Sequence, residues 1–337
     1  MSSLVRILTV LVVAAGVLLT GGVLVWYLAY GVEQRPPKML ALDAVADTVQ
    51  IGWSEQGAVS IEAGRIEDAM AALGYVHGRE RAWSVVLWRQ AALGRLSEWF
   101  GEPALPLDRL TRRLALASLA QESTTRLDAD DRATLAAYAA GLDAALQSPA
   151  VQLQQEFVLL GQEPEPWQPW HTLALERLFA WLASSPPSSD ELAAAGDAAI
   201  DFFAADRALR QWLHLYGFEN SIAWITQDAD GVHFFQRHVY GDTALPFYQE
   251  AALTVQDGLR FGGASLPGTP FFPAGKSEHS AWALLLTATP RLERIAWQPD
   301  SATVSYQRIL SKGGAEHLIS FWRMDERLPL LPSVPEG

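Results

Sequence analysis

The amino-acid sequence predicts an α+β protein behind a single transmembrane helix, with a helical segment first and a mostly antiparallel sheet after it. Three observations predict this. An uncharged run from Ile7 to Tyr30 is 24 residues long, enough to cross a bilayer with some tilt. From Arg65 to Tyr216 the apolar residues fall largely at helical spacing. Beyond Gly217, short β-branched and aromatic runs alternate with turn residues.

The first element reads as an uncleaved anchor. A cleaved signal shares its basic start and apolar stretch but is usually shorter and ends at small residues. Here the run closes on "VWYLAY", whose aromatic residues suit a membrane interface. Arg6 on one side and Arg35 and Lys38 on the other do not fix its direction. A polar linker, "VEQRPPKM", follows. "TVQIGWSEQGAVSI" (48–61) predicts two short strands around the turn "SEQG".

Helical sequence then runs from Arg65 to Trp99. Ala69, Ala72, Leu73 and Val76 share a face, Trp83, Val86, Leu87 and Ala91 continue it, and Gly101 with Pro103 ends the region. A second helix starts at Asp128, a capping residue backed by Asp130 and Asp131 at the positive end. Leu135, Tyr138, Leu142 and Leu146 line one side of it, until Ser148-Pro149. A third covers about Thr172 to Ala183, and "SSPPSSDE" (184–191) is a loop. An Ala-rich helix then ends near Tyr216, where Gly217 is placed to cap it. "SIAWIT" and "VHFFQ" flank "QDADG", and "YQEAALTV" and "LRFGGASL" flank "QDG", two hairpin signatures. "SAWALLLTA", "ATVSYQRIL" and "HLISFWRM" supply three more strands.

Composition narrows the chemistry. The net charge of −13 and the lack of a basic stripe argue against a nucleic-acid partner. Zero cysteines exclude disulfides, thiolate metal sites and cysteine nucleophiles. There is no GxSxG elbow, HExxH, P-loop or dinucleotide fingerprint. His77 and Glu80, three apart on a helix, could present two ligands to one metal, or simply form a polar helix face. His233 and His238 are five apart in strand-like sequence and so point to opposite faces. Trp83, Trp88, Trp99 and Trp167 read as core.

Five segments carry a family resemblance. "AALGYVHGRERAWSVVLWRQAALGRLSEWFGE" (71–102), "AYAAGLDAAL" (137–146), "EFVLLGQEPEPW" (156–167), "FYQEAALTV" (247–255) and "GGASLPGTPFFPAGKSEHSAW" (262–282) occur in that order. Together they resemble the penicillin acylases and acyl-homoserine-lactone acylases, hydrolases of linear amides with an N-terminal nucleophile. The resemblance implies a partial N-terminal-nucleophile hydrolase fold, divided as an anchor (1–31), an α-chain-like helical region (32–183), a spacer-like linker and helix (184–217) and the start of a β-chain-like region (218–337). In that family a serine attacks the preceding carbonyl, frees its own amine, and then uses that amine as its base.

The family pattern falls on "ENSIAW", with Asn220 at the asparagine and Ile222-Ala223-Trp224 opening the first strand. The nucleophile position is therefore Glu219, preceded by Phe218. A carboxylate has no hydroxyl with which to start the acyl shift. Ser221, two residues along a strand, would sit roughly 6–7 Å from Glu219. By the same resemblance His238 falls near the catalytic amine and the backbone N–H of Leu286 falls at one oxyanion donor. The second donor, an asparagine, comes from later in the family's catalytic chain than Gly337, so the resemblance implies that it is absent. Glu156 and Glu293 match calcium ligands while Pro290 stands at an expected aspartate, implying weak calcium binding or none. The sequence gives no substrate-binding residue.

The expectation that follows is a penicillin-acylase-family pseudoenzyme anchored in a bacterial inner membrane, its body in the periplasm, with a tie to antibiotic metabolism through its family. It needs no cofactor and has as partners the membrane, an acyl-amide ligand and a protein covering the shortened sheet. The alternatives are an active acyl-amide hydrolase completed by another chain and a non-enzymatic binding or scaffold protein.

Overall fold

The computed structural model describes residues 3–26, 39–184, 190, 197–213, 222–229, 231–237, 247–256, 258–284, 302–324 and 328–329. Helix α1 (Ser3–Trp26) has exposed side chains from Val5 to Trp26. Its stretch Val5–Trp26 is long and apolar enough to cross a membrane, a property that signal sequences share.

The body is built on one sheet of six strands in the order β1-β2-β5-β6-β7-β8. These are β1 (Gln50–Trp53), β2 (Val59–Ala63), β5 (Gln249–Val255), β6 (Arg260–Ser265), β7 (Ala274–Ser277) and β8 (Ala281–Ala283). The two hairpins predicted on "SEQG" and "QDG" form as antiparallel pairs. The sheet departs from the antiparallel expectation at its centre. β2 and β5 run parallel, with Val59, Ile61 and Ala63 beside Ala251, Leu253 and Val255. All six of these residues are buried, because both strands turn their alternate residues to the same core face.

Helices cover that face. The long helical region breaks into α2 (Ile66–Glu80), α3 (Ala82–Leu93) and α4 (Leu96–Phe100). The breaks fall at Arg81 (φ −132°) and at Gly94 (φ 62°), and Gly101 (φ 76°) closes α4 as expected. Then follow α5 (Leu105–Arg113), α6 (Leu116–Arg126) and α7 (Ala129–Leu146), where the Asp128 carboxylate accepts the Asp131 N–H at 2.8 Å. This is the cap predicted from sequence. Short helices α8 (Pro149–Gln152) and α9 (Gln155–Leu160) lead to α10 (Pro169–Ala183) and α11 (Asp197–Trp212). Trp88, Trp99 and Trp167 are buried in the core, and Trp83 packs against it, stacked on Trp99 at 6.1 Å.

α2 and α7 approach closely enough that glycine is required at the contact. A methyl group on Gly74 would stand 2.1 Å from the Tyr138 carbonyl oxygen, and one on Gly141 would stand 1.8 Å from that of Ala71. The remaining space between the helices is filled by Leu73, Tyr138 and Leu142, all fully buried.

The described residues form two further sheets. β3 (Ile222–Asp228) and β4 (Gly231–Arg237) form the predicted hairpin. β9 (Ala302–Leu310), β10 (Glu316–Met324) and the short β11 (Leu328–Pro329) form the other, in the order β11-β10-β9. The turn end of β9 is fastened to α4 and α5 around Asp108, a fully buried residue. Its carboxylate accepts the Leu96 and Ser97 N–H groups at 2.7 Å each. The Ser97 hydroxyl lies between Asp108 and the Leu310 carbonyl, 2.8 Å from the latter, and the Ser97 carbonyl accepts Lys312 N–H at 2.8 Å.

Burial pushes the Asp108 carboxyl up from 3.8 to about 6, against the pull of the Ser97 and Leu96 donors and of Arg112. Between those values the folded chain binds more protons than the unfolded one. The Asp108 contribution to stability is therefore complete below 3.8 and lost as pH rises through about 6. Asp108→Asn turns an amide against two N–H donors and should destabilise by roughly 1.5–3 kcal/mol. Its deficit relative to wild type should shrink as pH rises across that window. Urea unfolding of both proteins at several pH values checks this, and a deficit that widens with pH refutes it.

Candidate functional site

The site positions taken from the sequence fall mainly outside the described residues: Glu219, Asn220, His238, Leu286, Glu293 and Pro290 all do. The expected end of α11 at Tyr216 and its cap at Gly217 do as well. Glu156 is described, and it lies exposed on α9. The structure does show the ribbon of β3 and β4, which follows Glu219 and Asn220 in sequence. Ile222, three residues after Glu219, pairs with Arg237, one residue before His238.

Along this ribbon Trp224 sits opposite Phe235, their rings stacked at 5.2 Å and 9°. His233 lies 6.3 Å from Phe235 on the same side, and its Nε2 is 3.0 Å from the Asp228 carboxylate. Ile222, Trp224, Ile225 and Phe235 are all exposed. Ile222, Trp224 and Phe235 share one face of the ribbon and make a narrow apolar and aromatic strip, chemically suited to hydrocarbon or ring contacts rather than to charged groups.

Behind the main sheet lies a polar chain that the sequence did not reveal. His77 is fully buried rather than part of a polar helix face. Its Nδ1 is 2.7 Å from the Tyr138 hydroxyl and its Nε2 is 2.9 Å from Ser265 Oγ. The Ser265 hydroxyl donates to the Gln249 carbonyl at 2.6 Å. Ser265 must therefore accept from His77 Nε2–H, which leaves Nδ1 to accept from Tyr138. One directional chain joins α7, α2, β6 and β5. Burial, with help from Arg81, lowers the His77 pKa to about 3, so the ring is neutral. Burial also raises the Tyr138 hydroxyl well above its ordinary value.

A serine beside a histidine resembles a nucleophile and its base. Ser265 is nonetheless fully buried and its proton is committed to a carbonyl. The group is a structural pin. Glu80 takes no part in it and is exposed beside Arg79, so the two residues do not converge on one ligand position. Among the described residues no group of three or more histidines and carboxylates could hold a metal. The only sequence hint of the pin was a histidine set in the apolar run "AALGYVHG".

The "GRLSE" segment builds a second polar cluster. Arg95 meets Glu98 through both carboxylate oxygens at 2.8–2.9 Å and Glu165 at 2.7–2.8 Å. These bonds hold the Arg95 guanidinium above its usual value and the Glu165 carboxyl below its own. Arg89, buried one turn earlier, donates to the Glu165 carbonyl at 2.9 Å and lies over Trp167 at 5.3 Å. Both arginines tie α3 and α4 to the segment entering α10. Their charges are spent on the fold.

The penicillin amidase family model matches residues 48–294. Penicillin acylase 2 proenzyme of Pseudomonas sp. (strain SE83) is 38% identical over 146 residues, 43% of this chain and 19% of that protein. The acyl-homoserine lactone acylase QuiP of Pseudomonas putida is 32% identical over 143 residues, 42% of this chain and 18% of the relative. The QuiP protein of Pseudomonas aeruginosa is 33% identical over 128 residues, 38% and 15% of the two chains. The chain thus spans less than a fifth of the length of these curated relatives. A thermostable penicillin G acylase from Alcaligenes faecalis superposes with a TM-score of 0.40 at 17% identity, over 49% of this chain and 91% of that one.

Proposed function

Because the chain belongs to the penicillin amidase family, we propose that it is a membrane-anchored member that keeps a surface for acyl amides and does not hydrolyse them. The reading rests on the sequence "FENSIAW": aligned by resemblance with the family pattern, it sets Glu219 where the nucleophile would stand. Self-cleavage in this family begins when a hydroxyl attacks the peptide carbonyl before it. A carboxylate has no such hydroxyl, so the chain is not cut and no terminal amine is released to act as base. No cysteine exists to replace it.

Two features support the remainder. Val5–Trp26 provides 22 helical residues, uncharged except for Arg6, about 33 Å at 1.5 Å per residue, against a hydrocarbon core of about 30 Å. Retained, it holds the body at the inner membrane, on the periplasmic side. The exposed ribbon of Trp224 and Phe235 offers an acyl or aryl amide a surface without requiring a nucleophile. Its open edges also suit a strand from a protein partner.

The mass of the purified full chain tests the central claim. The expected result is one uncut polypeptide with no amino terminus at Glu219 and no release of nitroaniline from acyl-nitroanilides. Two fragments separated between Phe218 and Glu219, carrying an acyl group covalently, would overturn it.

A further inference from the structure

A cleft of about 810 Å³ lies where the chain enters the body after α1. Residues 39–53 form its arch, and Ala72 and Tyr75 of α2 form its floor. The volume falls within the range of small-molecule sites. Its lining is mixed, with Leu42, Val45, Val49 and Ile51 beside Asp43, Asp47, Thr48 and Gln50. Met39, Leu40 and Trp53 stand exposed at the rim, Met39 to 91%. Among the described residues, the charged ones lining it are Asp43 and Asp47.

The arch is held in place from α2. Asp68, one turn before Ala72 on the same stripe, accepts the Ala46 N–H at 2.9 Å through Oδ1. Asp68 is buried and its Oδ2 has no hydrogen-bond partner. The cleft is therefore held by the fold, and the charge that its described residues bring to it is negative.

Only the residues numbered 27–38 separate α1 from Met39, a reach of at most about 43 Å when fully extended. A cleft with an exposed apolar rim and aliphatic side chains in its lining, tethered to a helix that could span a bilayer, has hydrocarbon available from the bilayer itself. Its acidic lining favours a headgroup that carries an ammonium and disfavours an anionic one. We propose that this cleft binds the acyl chain of an amine-bearing membrane lipid such as phosphatidylethanolamine, with the ammonium set against Asp43 and Asp47. The inference rests on the anchoring part of the proposed function and is independent of whether Glu219 permits catalysis.

The absence of cysteine makes the test direct. Single cysteines at Val17 in α1, Leu42 in the cleft and exposed Tyr306 on β9 are each introduced into the full chain and spin-labelled. The protein is placed in vesicles of phosphatidylethanolamine and phosphatidylglycerol, and collisions with oxygen and with a water-soluble nickel chelate are compared. Labels at 17 and 42 should favour oxygen, and the label at 306 should favour nickel. A label at 17 in lipid with a label at 42 in water overturns the cleft proposal while leaving the anchor standing. Labels at 17 and 42 both in water overturn the anchor and the cleft together. Native mass spectrometry of unlabelled protein after delipidation should retain one phosphatidylethanolamine per chain. Asp43→Asn with Asp47→Asn should reduce its preference over phosphatidylglycerol at least fivefold, and an unchanged preference refutes the headgroup assignment.

Discussion

Gly141→Ala should destabilise the protein by about 3 kcal/mol or more, at or beyond the upper end of the usual overpacking penalty. The added methyl would lie 1.8 Å from the Ala71 carbonyl oxygen and 2.7 Å from its carbon. These are helix backbone atoms, so no rotamer change relieves the clash. Alanine's better helix propensity returns only about 1 kcal/mol. To accommodate the methyl, α7 must move away from α2, which also stretches the 2.7 Å bond between Tyr138 and His77. Urea unfolding followed by circular dichroism measures the loss. A change smaller than 1 kcal/mol would show that the helices separate at little cost.

Arg210→Ala should cost about 3–5 kcal/mol, because it removes the guanidinium that balances a buried carboxylate. Asp206 is fully buried and Arg210 nearly so, with 3.0 Å between Arg210 Nε and Asp206 Oδ2. The same guanidinium donates to the Leu182 carbonyl at 2.6 Å, Trp181 at 3.1 Å and Ser184 at 3.2 Å. These carbonyls lie at the C-terminal end of α10 and its cap residue Ser184, where no further helical turn follows to bond them, and that of Trp181 also accepts the Ser184 N–H and hydroxyl. Trp181 Nε1–H in turn donates to Asp206 at 2.7 Å. One arginine thus closes α10 and fixes α11 against it. Replacing both charges, Arg210→Met with Asp206→Leu, should recover most of the loss in the same unfolding measurement. Failure to recover would mean that the carbonyl bonds, rather than the charge pairing, dominate.

Much of the local structure was legible in the sequence because it is written in adjacent residues. "QDADG" between β-branched runs gave the β3–β4 hairpin, and Asp128 before an apolar stripe gave the start of α7. Pairings between distant residues left no such mark. Period-two alternation shows that Val59–Ala63 is a strand, but not that it lies parallel to β5. The Arg210–Asp206 pair looks like an ordinary helix-surface pair until α10 is known to cover it. His77 needed partners 61 and 188 residues away to become a pin. The short β7 (Ala274–Ser277), rich in small residues, had too weak a strand pattern to be read. For the site, the residues themselves supplied only the chemistry at Glu219. The positions came from resemblance, and of those taken as calcium ligands only exposed Glu156 lies among the described residues.

The parallel contact of β2 with β5 has a consequence for biosynthesis. Gln249 reaches back across 192 residues to the Gly57 carbonyl. At about 5–20 residues per second, roughly 10–40 s of translation separate the two ends of that bond. Throughout this interval the nascent β2 carries Val59 and Ile61 toward a neighbour that does not yet exist. The emerging polypeptide must be shielded or kept extended until the later strand arrives. A construction order this delayed favours chaperone dependence and slow recovery from denaturant.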